Sequence, residues 1–319
     1  MHMNDIPDSY DVLEAAERVR PYIHRTPVFT NQTLDAMTGA ELFLKAENLQ
    51  KVGAFKARGA CNAVFSLSAE EAARGVATHS SGNHAQAVAY AAGLREIPAT
   101  IVMPTNAPPI KVAAVRGYGA EIVWAGDHPL DRERKLEEVL DATGAIFIHP
   151  SDDPRVIAGQ GTAALELLEE VSDLDVVMVP VGGGGLLSGT ALAVARYSGG
   201  ISTVGAEPET VDDAYRSWRD GRIYPPTNAE TVADGLRTFL GDVTFAIIRE
   251  HVSEIVTVTE QGIVDAMRLV WERMKLVIEP SAAVPVAALF EHPDLFAAQR
   301  VGIILSGGNV DLERLPWQG

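Results

Sequence analysis

The sequence predicts an α/β protein whose strands form parallel sheets, and three observations support this fold class. Short apolar runs alternate with helical segments along the 319-residue chain, as in parallel strands joined by helices. Residues 175–181 are almost continuously apolar, which is typical of a strand buried on both faces. Several of these runs are followed by a glycine-rich or polar turn and then a helix, which is where open α/β sheets bind ligands.

Each predicted element follows from a local pattern. Apolar runs bounded by turn residues predict strands, and apolar residues at helical spacing or alanine-rich stretches predict helices. Strands are expected at 42–44, 75–79, 100–103, 121–124, 145–148, 175–181, 204–206 and 301–305. Helices are expected at 9–24, from Lys56 onward, and at 83–94, 111–118, 129–143, 156–171, 186–197 and 260–274.

Composition excludes several classes of protein. A formal net charge of −17 argues against nucleic-acid binding, which needs a basic surface. The single cysteine, Cys61, excludes an internal disulfide, and we expect it to be a buried structural thiol. The first residues lack the basic and apolar regions of a signal peptide, and no apolar run reaches the roughly 20 residues that span a bilayer. We therefore expect a cytoplasmic protein without a membrane partner.

A lysine among small residues is the first candidate for chemistry. Lys56 lies in the stretch 53–60, which is rich in glycine and alanine and carries Phe55 just before it. A surface lysine is the common alternative. A lysine in apolar surroundings has a lowered pKa, because burial disfavours the ammonium form. A neutral amine of this kind can form a Schiff base with a carbonyl cofactor such as pyridoxal phosphate.

The second candidate is a run of four glycines, Gly182, Gly183, Gly184 and Gly185, between a predicted strand and a predicted helix. The N–H groups of such a turn and the positive end of the helix dipole suit a phosphate, whereas the alternative is a flexible turn. The run matches neither the dinucleotide fingerprint nor the phosphate loop of nucleotide hydrolases. It therefore favours a small phosphorylated cofactor.

Three further turns carry polar groups. Residues 80–85 (SSGNHA) follow a strand and can hold a carboxylate at a helix start, although a plain N-cap explains them equally well. Residues 306–309 (SGGN) follow the last strand, where a tight turn is the alternative. Glu207 lies close to Asp212 and Asp213, and this group suits either a hard cation or a solvated surface.

Together these motifs resemble the fold-type II pyridoxal-phosphate enzymes, and within them the serine racemase and serine/threonine dehydratase group. The resemblance covers about residues 9–312, nearly the whole chain. The matching segments are 53–60 (GAFKARGA), 80–84 (SSGNH), 159–162 (GQGT), 181–186 (VGGGGL), 206–208 (AEP), 212–217 (DDAYRS), 233–235 (ADG), 271–276 (WERMKL) and 306–309 (SGGN). The resemblance implies two parallel-sheet lobes with the cofactor in the cleft between them. It also implies a large cofactor domain of residues 1–68 and 153–319, a small mobile domain of residues 69–152, and a homodimer.

The resemblance also implies a role for each candidate residue. Lys56 would carry the cofactor and act as base on one face of the substrate Cα, and Ser81 would handle the proton on the other face. The remaining cofactor residues would be Phe55 against the ring, Asn83 on the ring hydroxyl, Gly182 to Leu186 around the phosphate, and Ser306 at the ring nitrogen. A serine there leaves that nitrogen largely unprotonated, which favours elimination or racemisation over transamination. Ser80, Ser81, Gly82, Asn83 and His84 would grip the substrate carboxylate. Glu207, Asp213 and the carbonyl of Val211 match the magnesium site of the family, which could also hold Ca²⁺ or Mn²⁺.

The implied reaction is β-elimination from a small 3-hydroxy amino acid to a 2-oxo acid and ammonia. We rank serine/threonine dehydratase with racemase side activity first and 3-hydroxyaspartate ammonia-lyase second. The second substrate needs a cation for its side-chain carboxylate. Arg237 and Arg132 are the candidates, with surface salt bridging as the alternative for both. A non-catalytic pyridoxal-phosphate-binding protein and a β-replacement enzyme are ranked lower, since Lys56, Ser81 and the Glu207/Asp213 pair are all present.

Overall fold

The computed structural model describes residues 6–107, 109–197, 200–225 and 230–318. The first five residues, in which the sequence shows no signal peptide, lie outside the described residues. Ten strands and fourteen α-helices occur in the described part of the chain. The strands are β1 (Val28–Phe29), β2 (Glu41–Lys45), β3 (Val76–His79), β4 (Ala99–Pro104), β5 (Glu121–Ala125), β6 (Ile146–Phe147), β7 (Val176–Pro180), β8 (Ser202–Pro208), β9 (Glu254–Val258) and β10 (Arg300–Ile304).

The helices follow the strands in alternation over most of the chain. They are α1 (Ser9–Val19), α2 (Gln32–Thr38), α3 (Lys56–Phe65), α4 (Ala69–Arg74), α5 (Asn83–Arg95), α6 (Pro109–Gly117), α7 (Pro129–Thr143), α8 (Pro154–Glu170), α9 (Gly185–Ala195), α10 (Asp213–Asp220), α11 (Asp242–His251), α12 (Glu260–Met274), α13 (Pro280–Glu291) and α14 (Pro293–Phe296). Within the described ranges, no helix is both long and apolar enough to span a bilayer.

The strands form two separate sheets. The larger has the order β1-β2-β10-β7-β8-β9, and all its neighbours are parallel except β1 with β2. The smaller has the order β5-β4-β3-β6 and is parallel throughout. The predicted α/β fold with two parallel sheets is therefore confirmed. The exact domain boundaries at residues 69 and 152 stay a prediction.

Both faces of the larger sheet are covered by apolar layers. Along β7, Met178 packs into the core beneath α12 and α13, whereas Val177 and Val179 pack into the core beneath α8 and α9. A strand covered on both faces must be apolar on both faces, which explains the unbroken apolar run that the sequence shows. The carboxyl ends of these buried strands are consequently the places where polar groups emerge.

Several sequence-based boundaries were wrong or missing. The first helix was predicted to run to residue 24 but ends at Val19, because Pro21 has no backbone N–H to continue the helical hydrogen bonds. The predicted strand at 204–206 is longer (β8) and the one at 145–148 is shorter (β6). The elements without a sequence-based prediction are β1, α2, α4, α10, α11, β9, α13 and α14.

Candidate active site

The turns that were singled out in the sequence follow the carboxyl ends of neighbouring strands. Ser306 follows β10 and Gly182 follows β7, and these two strands pair directly through Ile303 and Met178. Ser80 follows β3 in the smaller sheet, and the helix that begins with Lys56 packs against the helix that follows that turn. The fold thus brings polar turns from both sheets toward one cleft.

Lys56 begins α3 and is partly buried. Its Nζ donates a hydrogen bond to the carbonyl oxygen of Pro150 at 2.7 Å and lies 5.1 Å from the centroid of the Phe55 ring. Burial lowers the pKa of this amine from 10.5 to about 8, against an opposing contribution from Glu279, which raises it. The amine is therefore about one-tenth neutral at pH 7, far more than an ordinary surface lysine, and the neutral form is the one that a nucleophile requires.

The turn after β10 supports the Lys56 segment through backbone pairing. The N–H of Phe55 donates to the carbonyl of Ser306 at 2.9 Å, and Ala54 forms an antiparallel bridge with Gly307. A side chain at Gly307 would not fit, because a Cβ there would lie 2.6 Å from Oε1 of Glu279. Ser306 is buried at 2% exposure, and its hydroxyl takes part in none of the hydrogen bonds among the described residues. That hydroxyl is therefore available for a ligand atom.

The glycine turn, residues 182–186, presents unused donors. None of the hydrogen bonds among the described residues uses the backbone N–H groups of Gly182 to Leu186, and α9 begins there without a side-chain cap. Gly184 has φ +82°, which favours glycine. Unpaired N–H groups at a helix N-terminus attract an anion. The turn fits the phosphate of a small cofactor.

The amine and the glycine turn are close neighbours. The carbonyl of Pro150 accepts a hydrogen bond from the Lys56 amine, and the next residue, Ser151, lies against the glycine turn. A Cβ on Gly183 would be 2.4 Å from the Ser151 hydroxyl, and a Cβ on Gly185 would be 3.0 Å from the Ser151 Cα. Consecutive Cα atoms are about 3.8 Å apart, so one residue of backbone separates the contact with the amine from the contact with the turn. An aldehyde and a phosphate on one small cofactor fit this spacing.

Residues 80–84 line the other side of the cleft. The Ser80 hydroxyl accepts the N–H of Gly82 at 3.2 Å, and α5 begins at Asn83 without a side-chain cap. The Ser81 hydroxyl, which is partly buried, forms none of the hydrogen bonds among the described residues. His84 is buried at 3% exposure, its Nε2 lies 3.0 Å from the Ile148 carbonyl, and burial lowers its pKa well below 6.5. His84 is thus neutral at neutral pH. No hydrogen bond among the described residues uses the backbone N–H groups of Ser81, Asn83 and His84, which remain for an anion.

Asn83 forms hydrogen bonds to two residues on the part of the chain that carries the larger sheet. Its Nδ2 donates to Oε1 and Oε2 of Glu279 at 2.9 and 3.2 Å, and its Oδ1 accepts from Nδ2 of Asn309 at 2.9 Å. The backbone N–H of Asn309 also donates to Glu279, at 3.1 Å. Sequence reasoning gave Glu279 no role, because a single glutamate before a proline carries no recognisable pattern.

The two candidate arginines have different surroundings. Arg132 on α7 is partly buried, and its Nε has no hydrogen-bond partner among the described residues. The pKa of His79 is lowered first by burial and second by the charge of Arg132. His79 directly precedes Ser80, so Arg132 is near the candidate carboxylate turn. Arg237 is exposed, and its Nε and Nη2 donate to the carbonyl of Thr231 at 3.2 and 2.5 Å. Its guanidinium is thus already engaged.

The acidic group forms a buried pair. Glu207 and Asp213 are both fully buried at 0% exposure, and Val211 lies between them in a 3-10 turn. Glu207 accepts the N–H groups of Ala214 and Tyr215, whereas neither carboxylate oxygen of Asp213 has a partner among the described residues. Burial raises the pKa of Glu207 well above 4.5, and the negative charge of Asp213 is the next largest cause. Burial also raises the pKa of Asp213, to about 7. Two buried carboxyl groups, of which Asp213 has both oxygens unused, fit a hard cation. Within the described ranges, no cluster of three or more metal-ligating side chains occurs, so carbonyls and water would complete the shell.

Comparison with known proteins identifies the family. The profile of a family described as pyridoxal-phosphate dependent enzyme matches residues 19–307. The β-hydroxyaspartate dehydratase of Paracoccus denitrificans is 51% identical over 312 residues, covering 98% of this chain and 99% of the relative. The serine racemase of Dictyostelium discoideum is 48% identical over 309 residues, covering 96% of this chain and 95% of the relative. The structure of maize serine racemase superposes with a TM-score of 0.94 at 46% identity, covering 97% of this chain and 95% of that chain. The chain therefore belongs to the family of pyridoxal-phosphate dependent enzymes.

Proposed function

We propose that this enzyme catalyses β-elimination from a small 3-hydroxy amino acid, such as L-serine or L-threonine, to a 2-oxo acid and ammonia. Racemisation of serine is proposed as a second outcome at the same site. The observation that carries the proposal is the Lys56 amine, whose pKa is lowered to about 8 beside a turn of unused N–H donors. The relatedness to a hydroxyaspartate dehydratase and to serine racemases supports the same reaction class.

The residues present fit pyridoxal phosphate. When bound, this cofactor supplies an aldehyde that condenses with amines and a ring that withdraws electrons from the substrate Cα. Gly182 to Leu186 would hold its phosphate, Lys56 its aldehyde carbon and Phe55 the face of its ring. The Ser306 hydroxyl would face the ring nitrogen, and Asn83 the ring hydroxyl. The small-residue surroundings of Lys56 leave space for a flat ring.

Proton transfer falls to two side chains. The free Lys56 amine, whose Nζ donates to the Pro150 carbonyl, would accept the Cα proton of the bound substrate. The protonated Lys56 amine would then give that proton to the β-hydroxyl, which leaves as water. The released 2-aminoacrylate or its methyl homologue hydrolyses to the oxo acid and ammonia. For racemisation, the Ser81 hydroxyl donates a proton to the opposite face of Cα instead. The unused backbone N–H groups of Ser81, Asn83 and His84 would hold the substrate carboxylate throughout.

A lysine variant tests the proposed reaction. Lys56→Ala should remove both the visible absorbance of the bound cofactor and at least about a thousandfold of the turnover, since nucleophile and base are lost together. Lys135→Ala is the control, because that lysine forms a surface pair with Glu138 on α7. Oxo acid, ammonia and D-serine would be measured for L-serine, D-serine and L-threonine. Unchanged absorbance and turnover in Lys56→Ala would refute the proposal.

A second candidate function, 3-hydroxyaspartate ammonia-lyase, is favoured by Arg132. Its partly buried Nε lacks a partner among the described residues, and it lies on the helix that packs against β3, which leads into Ser80. A free guanidinium in that place suits the second carboxylate of 3-hydroxyaspartate. Arg237 is the less suitable candidate because it already donates to Thr231.

The two candidates are separated by a paired substitution on one helix. Arg132→Met should reduce kcat/KM for 3-hydroxyaspartate by about a hundredfold or more while changing that for serine far less. Arg134→Met is the control, because Arg134 is exposed and pairs with Asp131. Both threo and erythro substrates would be assayed. Equal losses on serine and hydroxyaspartate would exclude the carboxylate role.

We also propose that Glu207, Asp213 and the carbonyl of Val211 bind Mg²⁺, or else Ca²⁺ or Mn²⁺, and that the enzyme is a cytoplasmic homodimer. The unused carboxylate oxygens of Asp213 support the cation, and relatedness to the family supports the dimer. Metal analysis of the purified protein and light scattering after size exclusion test the two proposals. Within the chain, we propose a mobile small domain at 69–152, which hydrogen exchange with and without substrate would delimit.

A further inference from the structure

Glu279 is a buried carboxylate in the cleft, where residues that follow strands of the two sheets meet. It precedes α13, is 6% exposed, and its backbone N–H donates to the carbonyl of Gly307 at 3.0 Å. No family motif singled out in the sequence contains it. Burying a carboxylate is costly unless donors compensate. The donors that compensate the buried Glu279 carboxylate therefore indicate its role.

Those partners form a closed ring of three residues. Glu279 accepts from the Asn83 side chain and from the Asn309 backbone, and the Asn309 side chain donates to Oδ1 of Asn83 at 2.9 Å. Asn309 is itself fixed, because its Nδ2 also donates to the carbonyl of Val52 at 2.8 Å. The ring permits one orientation of the Asn83 amide, since a flipped amide would turn its oxygen toward a carboxylate.

One donor of Asn83 is left over. An amide nitrogen has two N–H bonds that diverge widely, and both contacts to Glu279 go to oxygens of one carboxylate, so they use a single N–H. Among the residues that the structure describes, no other acceptor bonds this nitrogen. The second N–H thus has no acceptor among the described residues, and the ring of hydrogen bonds fixes the amide that carries it.

Electrostatics link Glu279 to the same amine. Burial, followed by the charge of Asp234, raises the pKa of Glu279 to about 7, against opposing effects of Asn83, Asn309 and Lys111, which lower it. In turn the charge of Glu279 raises the pKa of Lys56, against the larger effect of burial. When it is ionised, the Glu279 carboxylate thus acts on Asn83 through hydrogen bonds and on Lys56 through its charge, and both residues would meet the cofactor.

We propose that Glu279 is a positioning residue, which orients the Asn83 amide across the cleft so that its free N–H meets the ring hydroxyl of the cofactor. This inference rests on the proposed function, because it assumes that Lys56 carries the cofactor. Glu279 itself touches neither substrate nor cofactor. Its effect is transmitted through Asn83.

The test uses the holoenzyme and a donor–acceptor swap. In Glu279→Gln, an NH₂ group replaces one of the two accepting oxygens and the charge is lost, so the Asn83 amide is held less firmly in its orientation. We expect pyridoxal phosphate to bind at least about tenfold more weakly and the visible absorbance band to shift. Glu279→Asp, which keeps the charge, should restore part of both.

The double variant Glu279→Gln with Asn83→Asp separates positioning from structure. It rebuilds the bonds of the ring with donors and acceptors exchanged, but it supplies no N–H toward the cofactor. The melting temperature of the cofactor-free double variant should therefore recover, whereas cofactor affinity and absorbance should stay impaired. Recovery of affinity and absorbance together with stability would overturn the proposal in favour of a purely structural role.

Parallel measurements distinguish failure of this inference from failure of the proposed function. One outcome is that Lys56→Ala lacks the cofactor absorbance of the wild type, whereas Glu279→Gln has the wild-type cofactor affinity and spectrum. In that case only the proposal for Glu279 is wrong. If Lys56→Ala itself retains the absorbance, the proposed function is wrong and the positioning role falls with it. Glu291→Gln, at the far end of α13, is the control and should alter neither affinity nor spectrum.

Discussion

Two groups of buried charges in this chain are built in opposite ways. The first, which we term the balanced cluster, contains two cations and two anions: Arg58, Lys45, Glu47 and Glu166. Every salt bridge in it joins atoms 2.6–2.8 Å apart, and all four side chains are at most 14% exposed. Its charges cancel and its hydrogen bonds are satisfied.

The second group is the pair of Glu207 and Asp213. It contains two carboxyl groups, and both carboxylate oxygens of Asp213 lack a partner among the described residues. Burial raises the pKa of both groups, so they retain protons more readily than exposed carboxyls do, and full ionisation of the pair requires a counter-ion. Lys56 shows the same contrast with Lys45, which is salt-bridged to Glu166, whereas Lys56 is held by a neutral carbonyl. In this fold, complete pairing marks structural charges, and incomplete pairing marks the candidate functional ones.

The largest expected effect comes from unbalancing the first group. Glu166→Gln leaves Arg58 and Lys45 with one carboxylate between them, and the free energy of unfolding should fall by about 3–5 kcal/mol. Urea unfolding of the cofactor-free protein measures this value. The fraction that remains folded should still show the wild-type cofactor absorbance, because Glu166 does not contact the glycine turn or the Lys56 amine. A fall of less than about 1 kcal/mol would contradict the contrast between the two groups.

Balancing the second group should have the next largest effect. A divalent cation at about a hundredfold excess over its Kd should stabilise the protein by about 2.7 kcal/mol, because it binds the folded form alone. Thermal unfolding with magnesium or with a chelator measures this gain. Asp213→Asn should abolish it, whereas Asp212→Asn should keep it, because Asp212 already pairs with Arg216. Equal gains in both variants would place the cation elsewhere.

The pH dependence of cofactor capture tests the unpaired lysine. Since burial lowers the pKa of Lys56 to about 8, its neutral fraction rises about tenfold per pH unit below that value and levels off above it. The rate at which the cofactor-free protein develops visible absorbance with pyridoxal phosphate should follow the same curve, equivalent to about 1.4 kcal/mol per unit. A rate that keeps rising to about pH 10 would indicate a solvated lysine instead.

The smallest effect is expected from a salt bridge outside both groups. Glu169 lies on α8 three residues after Glu166 and pairs with Arg25, but both side chains are about half exposed. Glu169→Gln should change the free energy of unfolding by less than about 1 kcal/mol. Urea unfolding beside Glu166→Gln gives the direct comparison. A loss as large as that of Glu166→Gln would mean that burial does not set the scale.

Much of this arrangement could be predicted from the sequence. The strands and turns that present Lys56, the four glycines and Ser306 were predicted because apolar runs and glycine clusters are local patterns. The buried state of Cys61, in α3, also agrees with expectation, and burial raises the pKa of its thiol to about 12. These features depend on residues that are close together in the chain.

The parts that escaped prediction depend on contacts across the chain. Glu279 and Asn83 are hydrogen-bonded although they lie 196 residues apart in the sequence, and no local pattern predicts such a contact. The sequence also could not indicate that Arg237 is engaged by Thr231 while Arg132 has an unpartnered Nε. The balanced cluster escaped notice for the same reason, because Glu166 lies 108 residues from Arg58.

One measurement tests most directly the claim that Lys56 is the unpaired functional lysine. The holoenzyme would be treated with borohydride, which fixes a lysine-bound cofactor irreversibly, and the tryptic peptides would be analysed by mass spectrometry. We expect the cofactor mass on the peptide that contains Lys56, at near-unit occupancy, and none on the peptide that contains Lys45. Modification of a different lysine, or of none, would contradict the assignment of Lys56 on which the proposed function depends.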